Sequence, residues 1–219
     1  MEIERKFLFH KLPDQLDTYP HYGIEQAYVT TNPVIRVRKK TLYDAASAVS
    51  DCQYVLTVKS SGMLARQEFE LPIDEDAYRT LCAKADGNVI AKTRYKIPLN
   101  QGLTLELDLF EGLFDGLVMG EVEFPDEETA KNYTLPDSFA VKKEVTYDTH
   151  FHNSTMSAMR KEEITQFIAS LSAWYPQRIE ILSFRRSDAM FQAATNWQCS
   201  LSVQRTKDLS SWCQTPWTL

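Results

Sequence analysis

Charged residues, in one case with a threonine, recur two positions apart through residue 123: Glu2, Glu4 and Lys6; Arg36 and Arg38; Thr57 and Lys59; Arg66, Glu68 and Glu70; Lys92 and Arg94; Glu106 and Asp108; Glu121 and Glu123. A β-strand sends side chains i, i+2 and i+4 to one face, so each run places its charges side by side. A single pair of this kind is an ordinary solvated strand face. The whole set is different, because a merely wet face accepts Ser, Thr, Asn and Gln freely and these positions are almost all charged. Neighbouring carboxylates repel unless a cation lies between them. Glu2 with Glu4, Glu106 with Asp108, and Glu121 with Glu123 are therefore oxygen ligands suited to a hard divalent cation, Mg²⁺ or Mn²⁺. Arg36, Arg38 and Arg94 offer planar bidentate donors, and Lys59 and Lys92 compact charges, a combination fitted to a chain of phosphates. Closing the strands into a barrel would bring both sets into one cavity.

The elements that must position these groups are mostly strands. Short alternating segments rich in Val, Ile, Tyr, Phe, Thr and Leu run to about Val145. They predict strands at Glu2 to Phe9, Gly23 to Thr30, Val34 to Lys39, Tyr54 to Ser60, Ala65 to Pro72, Val89 to Ile97, Leu103 to Phe110 and Leu117 to Phe124. Eight strands are enough for closure. Two helices interrupt them, Asp74 to Ala83 with acidic residues at its positive end, and about Asp126 to Asn132 after Pro125. Thr41 to Asp51 reads as a loop or short helix. After Asn153 the apolar period becomes helical at Met159, Ile164, Phe167, Ile168 and Leu171. The expected division is a domain over 1–153 and a C-terminal extension over 154–219, with a helix at about 155–174 and an irregular remainder. The fold class is thus α+β, mainly β: a closed eight-stranded antiparallel tunnel with helices outside.

At 219 residues and 43% hydrophobic content the chain can bury a core. A net charge of −6 and a pI near 5.3 argue against a general nucleic-acid or membrane-surface binder, so basic residues that meet an anion must be concentrated locally. No apolar run reaches the length of a spanning helix, and MEIERKFLF lacks the layout of a signal peptide, which makes the cytoplasm the default location. Cys52, Cys82, Cys199 and Cys213 have no paired spacing and read as free thiols. The histidines of the HFH run at His150 and His152 read as surface residues, with no third ligand in view.

The segment EIERKFL at Glu2 to Leu8 matches the ExExK signature of the CYTH family, the triphosphate tunnel metalloenzymes. VIRVR (Val34 to Arg38), LTVKSSG (Leu56 to Gly62), ARQEFELPI (Ala65 to Ile73), KTRYKIPL (Lys92 to Leu99), LELDLFEG (Leu105 to Gly112) and GEVEFP (Gly120 to Pro125) resemble short bacterial members in the same order. The resemblance runs through KEVTYD (Lys143 to Asp148) and fades after Asn153; where relatives often carry Arg-Tyr, this chain has His150 and Phe151. It implies a triphosphate bound inside the tunnel beside divalent metal. It also implies metal ligands Glu2, Glu4, Glu106, Asp108, Glu121 and Glu123. Phosphate would be gripped by Lys6, Arg36, Arg38, Lys59, Lys92 and Arg94, with Arg66 and Lys143 extending that set, and Glu2, Glu4, Lys6 and Lys92 would be catalytic. The implied activity is hydrolysis of inorganic triphosphate, with adenylyl cyclisation, nucleoside or thiamine triphosphate hydrolysis, and non-catalytic polyphosphate or nucleotide binding as alternatives. The implied partner is a small-molecule triphosphate, and a homodimer is left open.

Overall fold

The structure, a computed structural model, describes residues 2–9, 11–44, 47–59 and 65–172, the side chains of Glu2, Ala65 and Arg66 excepted. Among these residues ten strands form: β1 Glu2–Phe9, β2 His21–Thr31, β3 Val34–Tyr43, β4 Val49–Lys59, β5 Ala65–Arg66, β6 Glu68–Ile73, β7 Ile90–Pro98, β8 Thr104–Glu111, β9 Val118–Glu123 and β10 Val141–Glu144. Nine of them make one antiparallel ladder in the order β10-β1-β9-β8-β7-β2-β3-β4-β6. The mainly-β antiparallel expectation holds, but the ladder does not close and is not eight-stranded. The expected strand from Ala65 to Pro72 divides at Gln67. β6 bonds to β4, while β5 reaches β1 only through the pairs Glu2–Arg66 and Ile3–Ala65. Beyond that, β1 takes β10 as its other neighbour at Phe7 to Phe9, so among the described residues no continuous ladder joins β6 to β1. Pro72 fits this arrangement, since proline is tolerated on a strand with a free edge.

The apolar residues lie mainly on the outside of the curved sheet. Ile3, Phe7, Phe9, Ile97, Leu105, Leu107, Leu109 and Val122 form one cluster with Phe124, Tyr133 and Leu135. Helix α2 (Glu127–Asn132) lies against this side, next to β1. Helix α1 (Glu75–Cys82) covers Ala27, Val37, Tyr54 and Leu56 through Tyr78. Both helices open where the sequence places them, with Asp74 and Asp126 each accepting from the backbone N–H three residues on at 2.7 Å. Arg5, between the inward Glu4 and Lys6, points outward and donates to the carbonyls of Ala130 and Tyr133 at 2.7 Å, closing the end of α2. Its other nitrogens bind Glu144 of β10 at 2.9 and 2.6 Å.

Three expectations are corrected. Thr41 to Asp51 is not loop or helix throughout, because β3 runs to Tyr43 and β4 begins at Val49, with Asp44 accepting from Ala48 N–H at 2.9 Å between them. The single helix expected over 155–174 is two, α3 (Asn153–Ala158) and α4 (Lys161–Ser172). Asn88 causes the break: its side chain donates to the carbonyls of Ser157 and Met159 at 3.1 and 2.7 Å, taking acceptors that a continuing helix would use. β10 is an element the strand pattern did not mark. Residues 173–219, including the expected end of that helix and the remainder of the extension, lie outside the described residues.

Gly120 on β9 faces the outer cluster, where a Cβ would come within 2.6 Å of both Leu105 Cδ1 and Phe9 Cε2. Gly120→Ala should cost about 1–3 kcal/mol of stability through overpacking, read from urea denaturation; an unchanged midpoint would show that the cluster yields freely.

Candidate active site

Register turns the alternating charges into a single surface, because residues directly opposite on antiparallel strands point the same way. Glu4 stands opposite Glu123 and Lys6 opposite Glu121. Glu121 stands opposite Glu106, and Glu106 and Asp108 stand opposite Lys96 and Arg94. Arg94 and Lys92 then face Tyr22 and Ile24 of β2, whose Gln26 and Tyr28 face Arg38 and Arg36. Arg36 is opposite Thr57, Thr57 opposite Glu70, and Lys59 opposite Glu68. This inner face encloses a cavity of about 840 Å³.

Of the residues singled out from sequence, Glu4, Lys6, Arg36, Arg38, Lys59, Lys92, Arg94, Glu106, Glu121 and Glu123 line that cavity together. Asp108 does not line it; it is fully buried beneath the wall. Lys143 is elsewhere, in an open hollow with Tyr147, Asp148 and His150, since β10 lies beyond β1 at the end of the ladder. Glu2 and Arg66 pair through their backbones, and their side chains lie outside the described residues. Lys96, Glu68, Glu70, Tyr22 and Gln26 also line the cavity without a role having been assigned to them from sequence. Lys96 continues the Lys92, Arg94 period and was legible; Tyr22 and Gln26 carry no charge and left no such signal. The HFH reading divides: His150 is exposed and sits 2.9 Å from Asp148, whereas His152 is half-buried and lines the cavity.

The charges are paired with one another. Arg94 is the centre: Nε and Nη2 donate to the two Asp108 oxygens at 2.6 Å, Nη2 also to Glu121 at 2.6 Å, and Nη1 to Glu106. Lys92 Nζ reaches Asp108 at 2.5 Å, and Lys6 bridges Glu121 and Glu4, the latter at 2.9 Å. On the opposite wall Arg36 binds Thr57 at 3.0 Å and Glu68 at 3.3 Å, Arg38 binds Glu70 at 2.8 Å, and Lys59 binds Glu68 at 2.8 Å. Arg36 Nε is buried without a hydrogen-bond partner among the described residues.

Burial penalises every one of these ions, and the neighbours decide the outcome. For Lys6 burial is outweighed by Glu121 and Glu4, which hold its ammonium above the usual lysine range. For Glu121 burial is likewise outweighed, by Lys6, Arg94 and Lys92, so its carboxyl is held well below the usual carboxylate range. For Lys92 burial prevails: Asp108 and Glu121 favour its ammonium, Arg94 opposes it as a neighbouring cation, and it falls below the ordinary value. Burial pushes the Tyr22 phenol up to about 12.

For a cation, the donor chemistry is all oxygen. Glu4 and Glu123 stand directly opposite each other, an arrangement that is unfavourable unless positive charge lies between. Among the described residues no three His, Cys, Asp or Glu side chains converge into a finished metal site. The carboxylates therefore fit a hard divalent ion in donor type, as pairs supplied by facing strands.

Comparison with known proteins follows this geometry. No protein-family model matches the chain. It is 35% identical over 160 residues to an inorganic triphosphatase of Nitrosomonas europaea, covering 71% of this chain and 96% of that protein. It is 39% identical over 164 residues to an inorganic triphosphatase of Acetivibrio thermocellus, covering 71% and 92%. A crystal structure of the inorganic triphosphatase NE1496 superposes with a TM-score of 0.53 at 31% identity, over 73% of this chain and 96% of the other. With two relatives above the level at which kinship is secure, both matched nearly end to end, the chain belongs to the CYTH-type inorganic triphosphatase family.

Proposed function

We propose that this chain hydrolyses inorganic triphosphate to diphosphate and phosphate inside the charged cavity, with a divalent cation, Mg²⁺ or Mn²⁺, as cofactor. The observation that carries the reading is the meeting of basic and acidic side chains from seven different strands around one space of about 840 Å³. In this reading the functional enclosure has eight walls, with β5 and β6 acting as one bent strand across Gln67.

Charge balance supports the cation. Seven basic residues line the cavity, and six carboxylates line it with Asp108 just beneath as a seventh. A polyphosphate entering so neutral a space brings uncompensated negative charge, and positive charge must enter with it. Glu4 and Glu123, joined by Glu121, Glu106 and, from its place in the sequence, Glu2, would hold the ion. When bound, such an ion neutralises phosphate oxygens and acidifies a water molecule.

The protein's own groups do the rest by positioning and charge stabilisation. A water oxygen bonds to a terminal phosphorus, the bridging P–O bond breaks with its electron pair leaving on diphosphate, and the water's protons pass to the products or solvent. Glu4 orients the attacking water. Lys6, Lys92 and Arg94 meet the charge on the reacting phosphoryl group, and Arg36, Arg38 and Lys59 hold the rest of the chain, exchanging Glu68 and Glu70 for phosphate oxygens. The unpartnered Nε of Arg36 supports that assignment. Asp108, whose oxygens are taken by Arg94 and Lys92, holds those two cations in place from below.

Phosphate release from inorganic triphosphate with Mg²⁺ or Mn²⁺ tests the whole reading, and no release with either ion would end it. Glu4→Gln should lower kcat by roughly 100-fold or more with the fold intact; retention of full activity would remove Glu4 from the chemistry. Arg38→Ala should raise KM with a smaller change in kcat, and an unchanged KM would discredit its grip on substrate. Asp108→Asn strands the buried Lys92 ammonium and should cost about 3–5 kcal/mol of stability; equal urea midpoints for the two proteins would show that Lys92 and Arg94 stand without it.

A further inference from the structure

Lys40 and Lys96 continue the inward rows past the residues that would hold triphosphate. Lys40 follows Arg38 on β3 and Lys96 follows Arg94 on β7, each one inward step farther along, roughly 6.6 Å on an extended strand. Side-chain exposure rises along both rows, from 9% at Arg94 to 48% at Lys96 and from 9% at Arg36 to 22% at Arg38, so the rows end at a rim of the cavity. Tyr22 joins them there. It lies on β2, between β3 and β7, stands opposite Arg94, and lines the cavity with Arg38 and Lys96. Lys40 Nζ sits 4.1 Å from the centre of the Tyr22 ring and covers one of its faces.

The rim carries more positive charge than its carboxylates answer. Arg38 binds Glu70, which Arg36 also approaches at 3.6 Å, and Lys96 lies 3.4 Å from Glu106, which Arg94 also holds. Lys40 has no ion pair among the described residues: Ile24 of β2 and Gln53 of β4 stand opposite it. Asp51, one inward step past Gln53, is exposed and accepts from Cys52 N–H. Burial, then Lys96 and Arg38, lower the Lys40 ammonium below the ordinary lysine value, as happens when like charges are held together.

We infer that this rim is a further phosphate subsite, in which Lys40, with Lys96 and Arg38 beside it, takes the outermost phosphoryl group of a linear tetraphosphate. Lys40 is then a specificity-determining residue for chain length, because inorganic triphosphate does not reach it. The inference rests on the triphosphatase reading above and extends it outward by one subsite. A phosphoryl group seated there offers an oxygen to each of three cations that Glu70 and Glu106 satisfy only in part. Hydrolysis runs as for triphosphate: water bonds to the terminal phosphorus, the bridging P–O electron pair leaves on triphosphate in place of diphosphate, and the water's protons pass to the products or solvent.

The test compares inorganic triphosphate with inorganic tetraphosphate, using the full-length protein and the same divalent ion. Lys40→Gln should lower kcat/KM for tetraphosphate by about tenfold, through KM, and that for triphosphate by no more than about twofold. Lys40→Arg should restore most of the loss. Lys39, the next residue, lies on the other face of the sheet 3.5 Å from Glu25. Lys39→Gln removes the same charge and should alter the two substrates equally, by less than about twofold. Equal losses on both substrates in Lys40→Gln, the same selective loss in Lys39→Gln, or a wild-type protein that neither hydrolyses nor binds tetraphosphate would overturn the inference. Failure to hydrolyse inorganic triphosphate would instead strike the proposed function. In that event calorimetric binding of the two anions to the wild type and to Lys40→Gln decides the subsite, a selective loss of tetraphosphate affinity upholding it and an equal change for both anions refuting it.

Discussion

An ion removed from water must find another ion, and this constraint governs the interior of the molecule. Arg94, Asp108, Lys92, Glu121 and Lys6 are all buried, and desolvating any one of them alone would cost several kcal/mol. They persist because strand register delivers a partner to each: Asp108 opposite Arg94, Glu121 opposite Lys6. Backbone pairing, set by outward-facing apolar residues, thus decides which charges meet.

The ion pairs divide into two kinds. Those of β7, β8 and β9 are enclosed and multiply bonded, with Asp108 bound to two cations at once. Those of β3, β4 and β6 end on Glu68 and Glu70, which lie on the free-edged strand nearer solvent and are easily rehydrated. A polyanion entering the cavity can replace the second kind at small cost, because the displaced carboxylates turn to water. The first kind it can only complement. One wall is therefore enclosed and multiply bonded, and the opposite wall more open to solvent.

Placing charges inside inverts the usual arrangement of a β-domain and moves the hydrophobic work outward. The outer face of β1 and β7 to β9 needs cover, which α2 and the segments beside it supply, and α1 does the same for β2 to β4. The C-terminal helices α3 and α4 serve a different purpose. They pack on the cluster of Leu8, Tyr28, Ile90, Phe110 and Met119 through Met156, Ile164 and Leu171. Arg5 shows how closely the two sides are linked, since it ties α2 and β10 to the very strand that carries Glu4 and Lys6.

Much of this was legible in the alternation of residues. The period of two places Glu4 with Lys6, Arg36 with Arg38 and Lys92 with Arg94 on common faces, and the acidic N-caps Asp74 and Asp126 mark both outer helices, because these are local properties of a strand or a helix end. Which face turns inward is not local, nor is the depth of a residue along the strand. Asp108 and Glu106 look alike in sequence, yet one is sealed beneath the wall and the other lines it; Lys143 looks like a member of the basic set, yet its strand falls beyond the enclosure. The break at Met159 depends on Asn88, some seventy residues away, and the incomplete closure at Gln67 on which neighbour each short strand finds. The sequence by itself determined the chemistry of the site through residue type and spacing. Only tertiary structure decided its geometry, because that arises from pairings between distant segments that no local pattern encodes.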